Sequence, residues 1–383
     1  MNGGMNLASK YAAKIDERFA RASQAMLALN NDYKFTGVKT VNVYSIPVVP
    51  MTDYTRSGTS RYGEPDDLSR TVQTLTINRD RAYTFIIDRG DRAQSQMVMD
   101  AGKALSRQLA EVVVPEYDTY VFRMLAAKAT ERGNYATTPI TKENAYESFL
   151  AGMERLGNKN VPDSGRVCFC TYKFANLLKQ DSAFMRYGDT SQEMLSKGVI
   201  GEVDGCKIVK VPASRLPAGA AFLLTYPSAA TAPKQLEEYK IHDDPPGISG
   251  WLVEGRFIYD CFVLKEKADA IYYHGAQAVM KPLNVLTAAS APGETSILVE
   301  PSAPESGNSY VYTLAADAKS LTAPAYGESY SGGTALSANG MAVAAGSNTQ
   351  ITYFSICSLQ KIRAFIHIFS RSFLVKSELL ITE

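Results

Sequence analysis

The sequence predicts an α+β body followed by a small all-β module. Three observations lead there. Residues 91–132 hold the longest run of helical periodicity in the chain. Period-two alternation precedes that run, at 38–44 and 71–77, and antiparallel strands are expected again after it, at 236–241 and 251–264. Short helix and strand patterns mix between residues 141 and 226, the mark of α+β layers.

The totals narrow the function classes. The chain has 383 residues, enough for about two or three domains. Its 40 basic and 39 acidic side chains leave a net charge of +1, so no global field draws it to nucleic acid or a membrane. Five cysteines, an odd and scattered count, do not read as a disulfide framework and suggest reduced thiols made in a cytoplasm. Residues 1–14 show no apolar leader. No apolar run reaches the roughly eighteen residues a spanning helix needs.

Residues 1–32 read as an arm: Leu7, Tyr11, Ile15, Phe19, Met26 and Leu29 make a sparse helical stripe, stopped at Asn30-Asn31-Asp32. A plain surface helix on its own domain fits the same pattern. Strands are expected at 38–44, 71–77 and 83–87. Between the first two lies a polar stretch, 45–70, with three prolines and two glycines. Loops this long inside compact domains are generally functional or disordered. Aromatics and both charge signs favour an extended two-stranded projection.

Within 91–132, Met97, Ala101, Ala104, Leu105, Leu109 and Val112 form one apolar stripe, opposite Asp100, Lys103, Arg107 and Glu111. Pro115 cannot donate a backbone N–H, so the helix should end or kink there. A second set of turns follows, stopped by Gly133 and Asn134. About forty residues of helix would span on the order of 60 Å.

A capped helix is expected over 141–156, strands at 166–172, 220–226 and 268–274, and a short helix at 174–179. Asp204-Gly205, between 200–203 and 206–211, is the strongest hairpin signal. Gly255 suggests a bulge within 251–264. Composition shifts to Ala, Ser, Gly, Thr and Pro from residue 288, with strands at 295–300, 310–314 and 350–354 behind a linker near 286–293. Residues 355–383 are basic and apolar. Three readings fit them: a basic amphipathic helix on a membrane surface, a docked terminal helix, or a reading-frame change near the end of the gene. The last is preferred, because the β module lacks an evident closing strand.

No phosphate-binding loop, H-E-x-x-H or G-x-S-x-G motif occurs. His242 beside Asp243 and Asp244 lacks further ligands and reads as an exposed loop. Cys168 and Cys170 share a strand face and read as core thiols. Asp66-Asp67 and Glu237-Glu238 have no evident base or nucleophile beside them. No catalytic, cofactor or metal residue is therefore assigned, and no enzyme activity is expected. The 45–70 stretch supplies the candidate contact residues: Asp53, Tyr54, Arg56, Arg61, Tyr62, Glu64, Asp66 and Asp67. Interleaved Tyr and Arg suit single-stranded nucleic acid or a protein interface. The acidic members would repel phosphate and favour protein.

The order of parts, with stretches such as Asn6-Leu7-Ala8-Ser9-Lys10-Tyr11, Gly37-Val38-Lys39-Thr40-Val41-Asn42-Val43-Tyr44, Asn78-Arg79-Asp80-Arg81-Ala82-Tyr83 and Met99-Asp100-Ala101-Gly102-Lys103-Ala104, resembles the major capsid proteins of tailed bacteriophages over about residues 5–282. The resemblance implies an N-terminal arm (1–32) and a peripheral domain (33–140 and 233–282) bearing an extended loop (45–70) and a spine helix within 91–132. It implies an axial domain at 141–232, an immunoglobulin-like decoration at 283–354 and a tail at 355–383 of uncertain status. It also implies self-assembly as hexamers and pentamers into an icosahedral virion shell. That shell would be made in a bacterial cytoplasm with scaffold, portal and other virion proteins. It would enclose DNA without sequence-specific contacts and without a membrane. A cellular nanocompartment shell of the encapsulin type, or a nucleic-acid-binding protein, are the alternatives.

Overall fold

The computed structural model describes residues 23–30, 32–33, 40–46, 48–63, 71–90, 101–181, 201–282, 284–289, 294–300, 308–315, 334–336, 341–344, 350–357 and 362–369. The chain divides into two compact units, Met1–Pro115 with Pro227–Ala268, and Glu116–Tyr226 with Asp269–Glu383.

The elements begin with β1 (Thr40–Ser45), β2 (Thr71–Thr76) and β3 (Arg79–Asp88). Helix α1 (Ala101–Gln108) runs through a π-helical turn (Leu109–Val113) into α2 (Val114–Glu131), followed by β4 (Tyr135–Ala136). Next come α3 (Ala145–Gly157), β5 (Arg166–Thr171), α4 (Tyr172–Gln180), β6 (Glu202–Val203), β7 (Cys206–Val211) and β8 (Ala220–Thr225). The return passes through β9 (Ala230–Thr231), β10 (Lys234–Asp243), β11 (Gly250–Tyr259), β12 (Phe262–Val263) and β13 (Ile271–Gly275).

In the first unit β1 and β2 pair antiparallel, Thr40 opposite Thr76 and Ser45 opposite Thr71. Alternation turns Val41 and Val43 toward a small core of Leu75, Ile77 and Leu264. A separate sheet has the order β10-β11-β3. Ile87 and Val253 form its buried centre, covered by Ala104 and Leu105 of α1. Gly255 makes no bulge: it pairs in register with Tyr239 on one side and Tyr83 on the other. A Cβ there would lie 2.4 Å from the Tyr83 ring, so the missing side chain makes room for that ring across the ladder. Of the N-terminal arm, the described part is a single 3-10 turn, Ala25–Ala28. Asn30 then anchors it, its N–H donating to Ala230 O at 2.9 Å and its amide to Ser228 O at 3.1 Å.

Pro115 neither ends the helix nor leaves it regular. Val114 N–H donates to Leu109 O, five residues back, so the turn before the proline is wider than an α turn. The extra residue moves the upstream carbonyls away from the ring, which would clash with them in an α turn. It also turns Val112, a member of the apolar stripe, out to solvent. The C-terminus of α2 follows the sequence expectation. Gly133 adopts φ +72° and donates to Thr130 O, and Asn134 donates to Ala129 O at 2.8 Å. Together these close the last carbonyls.

In the second unit a mixed sheet has the order β4-β13-β8-β5-β7-β6. Helices α3 and α4 cover one face through Phe149, Leu156, Phe174 and Leu178 against Cys168, Ile208 and Phe222. On the other face Phe122 of α2 meets Phe169 with ring centroids 4.9 Å apart. Thr171 caps α4 by accepting from Phe174 N–H at 3.2 Å. The start of α3 lies later than the sequence suggests, at Asn144, and is completed from afar by Asp181, which accepts from Tyr146 N–H at 2.9 Å. The Asp204-Gly205 hairpin forms, with φ of 51° and 71° at the two central residues.

The strand expected at 268–274 does not join the strands of 33–44, 71–87 and 236–264, where the resemblance places it. Instead β13 pairs with β8 and β4. All five of its residues are buried, and such a strand needs cover on both faces. Helices lie on both faces of the six-stranded sheet.

Eight more strands follow: β14 (Lys281–Pro282), β15 (Asn284–Ala289), β16 (Glu294–Glu300), β17 (Asn308–Ala315), β18 (Thr334–Ala335), β19 (Met341–Ala344), β20 (Gln350–Cys357) and β21 (Ile362–Phe369). They form two sheets, β15-β16-β19 and β14-β21-β20-β17-β18. The helical readings of the segment after residue 355 are overturned for its described part. Residues 355–357 end β20, and β21 pairs antiparallel with that strand. Ile362, Ala364, Ile366 and Ile368 also alternate with period two, and the open edge of β20 supplies the backbone partners that decide between the two periods. Residues 370–383 lie outside the described residues.

Candidate functional site

Among the described residues, the histidine, cysteine and carboxylate candidates named from the sequence sit in structural contacts. Among the described residues no group of three or more His, Cys, Asp or Glu is arranged to hold a metal ion. His242 Nε2 lies 3.2 Å from Glu254 Oε2. Asp244 receives the Arg89 guanidinium and accepts from Gly250 N–H at 2.9 Å, while Arg89 lies 5.7 Å over the Trp251 ring. This hairpin end is tied together rather than open to a ligand. Glu238 holds Lys240 at 3.0 Å on its own strand. Cys168, Cys170 and Cys206 are buried in the core beneath α3 and α4. Burial pushes the Cys206 thiol up to about 12 and Cys168 well above its usual range, so neither offers a thiolate near neutral pH.

The structural use of four buried polar side chains, Asp118, Arg215, Arg166 and His274, escaped the sequence reading. Asp118 on α2 pairs with Arg215 at 2.8 Å, both out of water. Arg166, 2% exposed, donates to Val161 O, Pro162 O and Met153 O at 2.6, 2.8 and 3.1 Å, and to Asp163 Oδ1 at 2.7 Å. His274 joins β13 to the segment before α3, with Nε2 2.8 Å from Thr138 O. Burial lowers its pKa from the ordinary histidine value, the Thr138 hydrogen bond opposes that shift, and nearby Arg155 lowers it further. A signal existed for Asp118, an acid among the buried positions Tyr117, Val121 and Leu125 of one helix.

The loop between β1 and β2 differs from all of these. Every described residue from 48 to 62 is exposed. Its tip is nevertheless organised by its own backbone. Thr55 N–H donates to Arg61 O at 3.0 Å, Gly63 N–H to Ser60 O at 3.2 Å, and Thr52 Oγ1 to Tyr62 O at 3.1 Å. The Tyr54 and Tyr62 rings meet edge to face at 5.0 Å. Of the candidate contact residues, Tyr54 and Tyr62 are thus brought together. Arg61 is partly used internally, its Nε donating to Gly58 O at 3.2 Å. Asp53 and Arg56 lie exposed on the same tip. Glu64, Asp66 and Asp67 lie outside the described residues.

The sequence reading assigned no contact role to the aliphatic side chains of this loop, Ile46, Val48, Val49 and Met51. Val48 is 93%, Met51 100% and Tyr62 85% exposed, and Ile46, Val49 and Tyr54 are exposed as well. The available signal was a run of aliphatics between prolines in a stretch otherwise polar. Several large apolar side chains exposed on one loop make it the candidate interaction surface among the described residues.

No family model and no curated protein matches the chain. Solved structures do. A structure from Mycobacterium phage Che8 superposes with a TM-score of 0.58 at 21% identity, covering 70% of this chain and 96% of that one. The capsid structure of the cyanophage P-SCSP1u gives 0.57 at 15% identity, covering 70% and 92%. The asymmetric unit of the bacteriophage PhiM1 mature capsid gives 0.54 at 11%, covering 70% and 91%. The chain has the phage capsid fold, an α+β fold. Those chains are matched almost end to end while this one is not, so it carries length beyond the shared fold.

Proposed function

We propose that this chain is the major capsid protein of a tailed phage, a structural protein and not an enzyme. Copies assemble as hexamers and pentamers into the icosahedral shell of the virion after synthesis in the bacterial cytoplasm. Scaffold, portal and other virion proteins are its partners, and DNA is enclosed without sequence-specific contacts. The fold likeness supports this reading, with near-complete coverage of chains from two phage capsids. The domain roles proposed with it are a loop at 45–70 that reaches the adjoining subunit and a region at 141–232 that meets its copies around the symmetry axes. Closed shells repeat one contact many times, so individually weak contacts suffice.

The C-terminal strands would form an immunoglobulin-like decoration. Their order supports this. Strands β15, β16 and β19 form one sheet, and β21, β20, β17 and β18 form the other with β14 added beside β21, so successive strands switch between two sheets as they do in such sandwiches.

Sedimentation and negative-stain microscopy of the concentrated protein test the reading. Large, closed particles are expected, and deleting residues 52–67 should leave folded protein that does not assemble. A strictly monomeric wild type at every concentration would count decisively against it.

A further inference from the structure

The loop carries two kinds of exposed group, charges at Asp53 and Arg56 and apolar side chains at Val48, Met51 and Tyr62. They predict different contacts. We propose that the loop binds a second copy of this chain through Val48, Met51 and Tyr62, seated as apolar anchors, and not by strand addition or ion pairing. The proposal deepens the assembly reading above and rests on it.

Strand addition needs a run of free N–H and C=O groups along one edge of an extended segment. Here Pro47 and Pro50 stand three positions apart. In any extended pairing they fall on opposite edges, so each edge loses a donor. Further along, Thr55, Arg61 and Gly63 already use backbone groups to close the tip. What remains free is side-chain surface. The tip is held in shape before any partner arrives, by the Thr52–Tyr62 hydrogen bond and the Tyr54–Tyr62 ring contact, so little ordering is needed on binding.

The charges suit ion pairing less well. Exposed pairs are weak and screened by salt. Large exposed side chains that become fully desolvated supply most of the affinity at protein interfaces, aromatics foremost. With a net charge of +1, copies of the chain do not repel one another strongly.

The test compares two double variants in the full chain, beside the wild type and the 52–67 deletion. Val48→Asp with Met51→Asp should keep the wild-type melting temperature and lose particles by about tenfold or more. Asp53→Ala with Arg56→Ala should stay within about twofold. Raising sodium chloride from about 0.1 M to about 1 M should not lower the wild-type yield of particles. Met51→Ser with Tyr62→Ser, which introduces no charge, should also lose assembly. The proposal is overturned if both apolar variants assemble normally while the deletion does not, or if the charge variant fails and salt dissolves the particles. In both cases the assembly reading survives. A wild type that forms no particles would instead remove that reading, and this inference with it.

Discussion

In the six-stranded sheet Arg166 is a charged side chain hidden from water, whereas in the loop at 46–63 Met51 is an apolar side chain fully in it. The first is affordable because Arg166 finds four oxygen partners, three of them backbone carbonyls at the end of α3 and in the turn after it. The second offers no gain within one chain, since exposed methylene groups are stabilised only when removed from water. The sheet satisfies its buried charge from within, whereas under the proposal above the loop's apolar side chains leave water only in a contact with another copy. Stability and assembly should therefore respond to different residues.

The largest loss of stability is expected at the buried ion pair. Asp118→Ala strips the carboxylate from a buried Arg215 and should cost about 3–5 kcal/mol in a denaturant titration. A loss below about 1 kcal/mol would mean that this unit absorbs the loss of the buried ion pair, and the contrast with the loop would weaken. Next is Gly255→Val in the β10-β11-β3 sheet. Its side chain would meet the Tyr83 ring, and overpacking of this kind costs about 1–3 kcal/mol.

Acid should act through His274. Its folded-state pKa lies below the unfolded one, chiefly through burial, so the folded form binds fewer protons between the two values. Its contribution is complete above the unfolded pKa and is lost as pH falls through the folded one. Thermal melts of wild type and His274→Gln between about pH 8 and pH 5 should converge toward acid. A constant gap between the two would remove His274 as the titrating group.

Smaller still is Arg256→Ala, which removes an exposed pair with Asp80 that bridges β11 and β3. The change should fall within about 1 kcal/mol. The smallest stability effect belongs to Met51→Asp, expected within about 0.5 kcal/mol because the site is fully exposed. A large drop in melting temperature there would show that the loop folds back on its own chain.

Much of the local structure was readable. Val41 and Val43 alternate as a half-buried strand should, Asp204-Gly205 forms its hairpin, and Gly133 with Asn134 closes α2. The loop was readable as an unusual projection, yet attention fell on its charges. Its aliphatics were passed over because the sequence does not say which apolar side chains find a partner inside the fold.

The sequence by itself determined what neighbouring residues decide together: turns at positive φ, helix stops, and the alternation of strands. Only the tertiary structure decided the rest. It carried the helix past Pro115 by widening one turn, and it placed β13 beside β8 because a strand buried on both faces needs helices on both sides. It made 362–369 a strand because β20 presented an open edge, and it paired Asp118 with Arg215 across about a hundred residues. In each case the deciding partner lies far along the chain, where no local periodicity can register it.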